Sequence, residues 1–192
     1  PVGVVRTSLD NLGLVDLPPG ARVYLDRADE GVRRLSLILS RMSEAVRLEQ
    51  ALAATEREAY DLVPVVRGCV EGYRAAYPGR PFELAAPEGP VPACGVPDAI
   101  AQLLDKLVEN ALDFAPKETA IRVILERRGG GSRLAVENDG PPIDAEALPR
   151  LFDSMVSARE EGRGGHLGLG LAIVRLVAEF HGGAVRALNL PG

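Results

Sequence analysis

The chain has 192 residues, 46% hydrophobic but only 4% aromatic and without tryptophan, so its core must be aliphatic and its length suits one large domain or one ordinary domain with a small appendage. A net charge of −5, from 22 basic and 27 acidic residues, weighs against a general nucleic-acid binder. No apolar run reaches the roughly 18 residues of a membrane span, and no signal-peptide pattern opens the chain.

Val2, Val5, Leu9 and Leu12 recur at steps of three, four and three, which places them on one helical face. This helix is expected to end near Gly13, before the breaker-rich Asp16-Leu17-Pro18-Pro19-Gly20. In the longer run that follows, Leu25, Ala28, Val32, Leu35, Leu39, Met42 and Val46 alternate steps of three and four, and Ile38, Ala45 and Leu52 widen the stripe. A seam this broad suits a helix in a four-helix bundle. Two helices make half a bundle, so either a second copy of the chain completes it or the hairpin packs on the chain's own C-terminal part.

From about Tyr60 the pattern is mixed. Residues 61–77 read as helix after Pro64, with Val65, Val66, Cys69, Val70 and Tyr73 on one face. The Pro- and Gly-dense stretch 78–97 holds Phe82-Glu83-Leu84 as a short strand. Residues 97–115 form the strongest helix signal, with Ile100, Leu103, Leu104, Leu107, Val108, Ala111 and Leu112 spaced for burial and Asp98 near the start. Residues 121–126 and 133–137 alternate as two strands of an antiparallel hairpin turned at Gly129-Gly130-Gly131-Ser132. The stretch 138–170 is loop-rich, 171–180 is an apolar helix and 184–188 the last strand. Cys69 and Cys94 make neither a CxxC pair nor a disulfide framework, fit a reducing compartment, and are expected as small buried residues. His166 and His181 lie far apart and lack neighbouring ligands, which argues against a histidine-held metal.

Three pieces follow one another in a set order. The first, Asp105-Lys106-Leu107-Val108-Glu109-Asn110-Ala111-Leu112-Asp113-Phe114, lies on the strong helix. The second, Val136-Glu137-Asn138-Asp139-Gly140-Pro141-Pro142-Ile143, follows a strand. The third, Gly164-Gly165-His166-Leu167-Gly168-Leu169-Gly170-Leu171, opens a helix. Leu151-Phe152-Asp153-Ser154-Met155 is a short apolar patch between the last two. The glycine piece lets backbone N–H groups approach an anion at a helix N-terminus, although alone it reads equally as a flexible linker. It is neither a Walker A loop, having no Gly-Lys-Ser/Thr, nor a dinucleotide fingerprint, having no βαβ unit around it. Asn110 sits among apolar neighbours, so its amide needs a partner, and Mg²⁺ with bound phosphates would supply one.

In order and residue type the pieces resemble the ATP-binding domain of sensor histidine kinases, in the wider fold shared with Hsp90, MutL and DNA gyrase, and the resemblance covers essentially the whole chain. It implies an α+β fold: a helical hairpin (half of a dimeric four-helix bundle, residues 1–54) followed by an α/β sandwich ATP-binding domain (residues 60–192) that lacks its last strand. The resemblance places Mg²⁺ on Asn110 and adenine against Phe114, Asn138, Gly140 and Ile143. Phe152 matches the phenylalanine box, and the ATP lid covers 162–170, with Arg163, His166, Leu167, Gly168, Leu169 and Gly170 near the nucleotide. Arg163 reads equally as a solvated charge. Residues 1–9 look like the continuation of a phospho-acceptor box, so the acceptor histidine is expected upstream of Pro1, and this chain alone should not autophosphorylate. ATP and Mg²⁺ are the implied cofactors. The implied partners are a second copy through the hairpin and a response regulator receiver domain, with no nucleic acid. Whole kinases of this family are membrane-anchored through regions outside this chain, with this part in the cytoplasm.

Four residues depart from the family pattern. Lys106 replaces the first asparagine of its box, Asp113 the lysine near the phosphates, Asn138 the aspartate that bonds adenine, and Pro142 a glycine. Lys106, Asn110 and Asp113 stand at i, i+4 and i+7 and share one helical face, so Lys106 can supply the phosphate-facing charge that Asp113 no longer does. A neutral Asn138 still accepts a hydrogen bond but reads the base less selectively. The alternative reading is a catalytically degenerate nucleotide-binding dimerisation module. An ATPase of the chaperone or repair type is disfavoured, because the glutamate that activates water in those relatives is replaced by Lys106. Phosphoryl transfer depends mainly on positioning and charge stabilisation, which such a site can still supply.

Overall fold

A computed structural model of the chain describes residues 2–153 and 169–190. Helix α1 (Val2–Gly13) and helix α2 (Pro19–Ala54) form the N-terminal hairpin. The two helices are in contact; Val2 and Leu9 of α1 are half-buried and Val32 of α2 is buried. A proline opens α2, where the missing N–H would have had no helical partner in any case. The stripe read from the sequence divides in two. Leu35, Leu39, Met42 and Val46 are 53, 51, 44 and 50% exposed, whereas Ala45, Leu48 and Leu52 at the C-terminal end of α2 pack on the α/β core.

Strand β1 (Glu58–Asp61) pairs antiparallel with β3 (Pro92–Gly95), and helix α3 (Leu62–Ala76) follows β1 directly. Neither strand stands out in the sequence; each is four residues long and exists through pairing with the other. Asp61 joins them to α3. Its Oδ1 accepts the Val63 N–H at 3.0 Å as an N-cap and the Val91 N–H at 2.8 Å.

The main sheet runs β2 (Phe82–Ala85), β4 (Ile121–Arg128), β5 (Gly131–Asn138), with β2 parallel and β5 antiparallel to β4. Ile121, Val123 and Leu125 of β4 face the core. They pack with Val66 and Val70 of α3 and with Leu103, Leu104 and Val108 of α4 (Pro97–Phe114). Helix α5 (Leu169–Phe180) lies beside α4 and buries Leu171, Ile173, Val174 and Val177. The opposite face of the sheet is charged: Arg122 meets Glu83 at 2.9 Å, and Glu126 meets Arg128 at 2.7 Å and Arg133 at 3.4 Å. Cross-strand charge pairs of this kind suit a solvent face and help hold the register.

Three expectations need correction. The β4–β5 turn is tighter than read, because pairing continues to Arg128 and Gly131 and leaves only Gly129 and Gly130, at φ 30° and 99°, in the left-handed region that glycine tolerates. Residues 184–188 alternate like a strand but form none. Among the described residues, 184–190 make no backbone ladder with β5, and Val185 and Ala187 rest on the core through side chains alone. Cys94 is exposed on β3 rather than buried, while Cys69 is half-buried and burial pushes its thiol up.

His181, just after α5, fixes the start of α4. The Val96 N–H donates to its Nε2 at 3.1 Å, which leaves Nδ1 to donate to the Val177 carbonyl at 2.8 Å. The ring lies so close to Gly95 that a Cβ there would overlap imidazole Cδ2 and Nε2. Gly95→Ala should therefore destabilise the chain by about 1–3 kcal/mol in urea unfolding. Combined with His181→Ala, the loss should be smaller than the sum of the two single losses, because the overlap needs both residues.

Candidate functional site

The two faces of α4 have different chemistry. Ala99, Ile100, Leu103, Leu104, Val108 and Ala111 are buried. Lys106, Asn110, Asp113 and the terminal Phe114 fall on the remaining surface. Both ends of the helix are held from outside. At the C-terminus, the Arg80 guanidinium donates to the Ala115 carbonyl at 3.3 Å and also to the Pro116 carbonyl, placing positive charge where the helix dipole is negative. Within the first motif, Asp105 accepts the Tyr73 hydroxyl at 2.7 Å. Burial, together with that hydrogen bond, drives the Tyr73 phenol well above its ordinary range, so it stays a donor.

Lys106, Asn110, Phe114, Asn138, Gly140, Ile143 and Gly170 line one broad cleft that runs from α4 and the start of α5 along β5, the loop after it and residues 181–190; Asp113 is not among its lining residues. Gly140 makes the close approach possible: a Cβ there would stand 3.2 Å from the Phe114 carbonyl and 3.2 Å from the Asn138 amide nitrogen. Asn138 is exposed and donates to the Asp139 carbonyl at 3.1 Å. Ile143 is half-buried and Phe152 packs on the core. Asn110 is half-buried on the cleft, and among the described residues its amide has no hydrogen-bond partner. An amide oxygen of that kind suits a hard cation that takes its other ligands from phosphates and water. Among the described residues no cluster of three or more His, Cys, Asp or Glu is placed to hold a metal unaided.

Lys106 has an environment that the sequence did not disclose. Its ammonium lies 3.2 Å from Glu44 of α2 and 3.5 Å from Glu109, with 17% of the side chain exposed. Three other contributors escaped the sequence reading, each because its partner is distant in the chain. They are Arg80, which bonds the Ala115 carbonyl just after Phe114, Arg175 of α5, which pairs with Asp153 at 2.8 Å, and Asn189, which bonds Ile143. Arg163, His166, Leu167 and Gly168 lie outside the described residues; Leu169 and Gly170 open α5.

Residues 95–192, which carry all three motifs, match the family described as histidine kinase-, DNA gyrase B- and HSP90-like ATPase. The chain belongs to this ATPase family, among its sensor histidine kinases. The sensor protein ChvG of Rhizobium meliloti (strain 1021) is 32% identical over 203 residues, covering 100% of this chain and 35% of that protein. The sensor histidine kinase TrcS of Mycobacterium tuberculosis (strain ATCC 25618 / H37Rv) is 34% identical over 178 residues, covering 90% of this chain and 35% of its own length. The solved mycobacterial sensor histidine kinase MprB has a TM-score of 0.57 at 26% identity, over 68% of this chain and 83% of that one. The chain thus spans about a third of the length of these two relatives. Among its described residues no helix is long and apolar enough to cross a membrane.

The contact between Glu44 and Lys106 is the one ion pair from the hairpin to the site-bearing face of α4 among the described residues. Glu44 is half exposed, so a double-mutant cycle of Glu44→Gln with Lys106→Met in urea unfolding should give a coupling of about 0.2–1 kcal/mol. Raising the salt concentration should shrink that coupling.

Proposed function

We propose that this chain is the dimerisation and catalytic part of a sensor histidine kinase, with a hairpin over residues 1–54 and an ATP-binding domain over residues 60–192. The reaction is transfer of the γ-phosphoryl of Mg·ATP to a histidine upstream of Pro1, and from there to an aspartate of a response regulator. The observation that carries this reading is the half-buried Asn110 amide, without a partner among the described residues, on the same cleft as Phe114, Gly140 and Ile143. Asn110 would ligate the Mg²⁺ of the substrate, and Phe114, Asn138 and Ile143 would hold the adenine. The backbone at Gly168 and Gly170, with Arg163, would face the phosphates. The parent protein is anchored in the bacterial inner membrane and this part lies in the cytoplasm, as the likeness to sensor proteins supports.

Lys106 is the specificity question. To serve the phosphates, its ammonium must exchange Glu44 and Glu109 for the triphosphate. Its present pairing favours the second reading, a catalytically degenerate nucleotide-binding module. Calorimetric titration with a non-hydrolysable ATP analogue separates the possibilities. Binding should require Mg²⁺ and weaken in Asn110→Ala by about 1.5–3 kcal/mol, or roughly 10- to 150-fold. A parallel loss in Lys106→Ala supports the relocated charge; unchanged affinity there supports the degenerate reading.

The open stripe Leu35, Leu39, Met42 and Val46 supports a second copy as the partner of the hairpin, since four large apolar side chains at helical spacing are an interface signature rather than a solvated face. Wild-type protein should sediment as a dimer, and Leu35→Glu/Leu39→Glu should sediment as a monomer with its nucleotide affinity intact.

A further inference from the structure

We propose that Asn189 is a positioning residue for the base-binding side of the cleft, an inference that rests on the nucleotide-site reading above. Its carboxamide pairs with both backbone groups of one residue: Oδ1 accepts the Ile143 N–H at 2.9 Å, and Nδ2 donates to the Ile143 carbonyl at 2.7 Å. A carboxamide can do this because it carries donor and acceptor side by side. The pairing stands in for a neighbouring strand, at a place where residues 184–190 form no ladder of their own among the described residues.

Among the described residues, the loop after β5 has few other restraints. Pro141 and Pro142 carry no N–H to donate. Just beyond Ile143 the bonds are local, from Glu146, Ala147 and Leu148 back to Asp144. Gly140 sets how closely the loop approaches Phe114, and Asn189 sets where Ile143 stands. These two anchors fix the wall opposite the α4 terminus. Asn189 is exposed, so its hydrogen bonds add little to global stability, and their consequence is the placement of Ile143.

The test uses the whole chain with Asn189→Ala and Asn189→Asp; aspartate keeps the acceptor for the Ile143 N–H and loses the donor. The probes are AMP-PNP and inorganic tripolyphosphate, both with Mg²⁺, read by calorimetry, with amide hydrogen exchange at Ile143 as the structural readout. Asn189→Ala should weaken AMP-PNP about three- to tenfold, leave tripolyphosphate unchanged and speed exchange at Ile143. Asn189→Asp should fall between Asn189→Ala and wild type, and the urea midpoint of both variants should stay at the wild-type value. If wild type binds AMP-PNP and Asn189→Ala binds it equally well, the positioning role is overturned while the nucleotide site stands. An equal loss for both probes also overturns it, as a general loosening of the cleft. If wild type binds no AMP-PNP, the nucleotide-site reading fails and the inference falls with it.

Discussion

The structure depends on the burial of one face of α4. Leu103, Leu104, Val108 and Ala111 are enclosed by the sheet and its neighbouring helices, and an 18-residue helix buried on that side has no rotational freedom left. Part of the remaining surface, with Lys106, Asn110 and Phe114, is thereby turned to the cleft. The helix is also pinned along its axis. The His181 ring takes the Val96 N–H at one end, and the Arg80 guanidinium takes the Ala115 carbonyl at the other. Both clamps come from segments remote in sequence, so the position of α4 integrates α5, the β2 approach and β3. The site loops are then placed relative to that fixed helix: the loop after β5 through Gly140 against Phe114, and α5 through Arg175, which grips Asp153.

A consequence concerns the way the hairpin meets this framework. Helix α2 presents different faces along its length. Its middle leaves Leu35, Leu39, Met42 and Val46 open, while its last turns commit Ala45, Leu48 and Leu52 to the α/β core. Ala45 and Val46 are adjacent in sequence yet about 100° apart around the helix, so one continuous helix carries both the exposed stripe and the face that meets the core. Glu44, next to Ala45 in sequence, pairs with Lys106, one turn from Asn110. Rotation or sliding of α2 relative to α4 thus changes both the charge environment beside Asn110 and the apolar packing of Ala45, Leu48 and Leu52.

What could be read from the sequence follows the range of the interaction involved. Helices α1, α2, α4 and α5 and strands β4 and β5 declare themselves because their periodicity is a local property of the sequence. Strands β1 and β3 do not, since four-residue segments such as Glu58–Asp61 and Pro92–Gly95 carry too little pattern and become strands only by meeting each other. Residues 184–188 show the converse error: alternation is necessary for a half-buried strand, but without a ladder partner it yields an extended segment leaning on Val185 and Ala187. At the site, the residue types of the three motifs were legible, and the cleft does gather Asn110, Phe114, Asn138, Gly140 and Ile143.

The partners of those residues were not legible. Lys106 was read as a charge facing the same space as Asn110, because helical geometry puts both on one face. That geometry is right, yet it says nothing about which carboxylate another helix brings to the ammonium. Glu44 lies 62 positions earlier and Asn189 stands 46 beyond Ile143, and each contact is fixed by the fold rather than by spacing. Such long-range polar contacts cost little sequence signal and decide much of the chemistry. On the proposed nucleotide reading, the ion pair of Lys106 sets the charge that a bound phosphate would meet, and the amide of Asn189 sets the backbone that a bound base would meet. A site of this kind is specified in two layers. The inner layer is written in local motif; the outer layer is written in which distant segments the packing of α4 forces together, and it cannot be inferred until that packing is known.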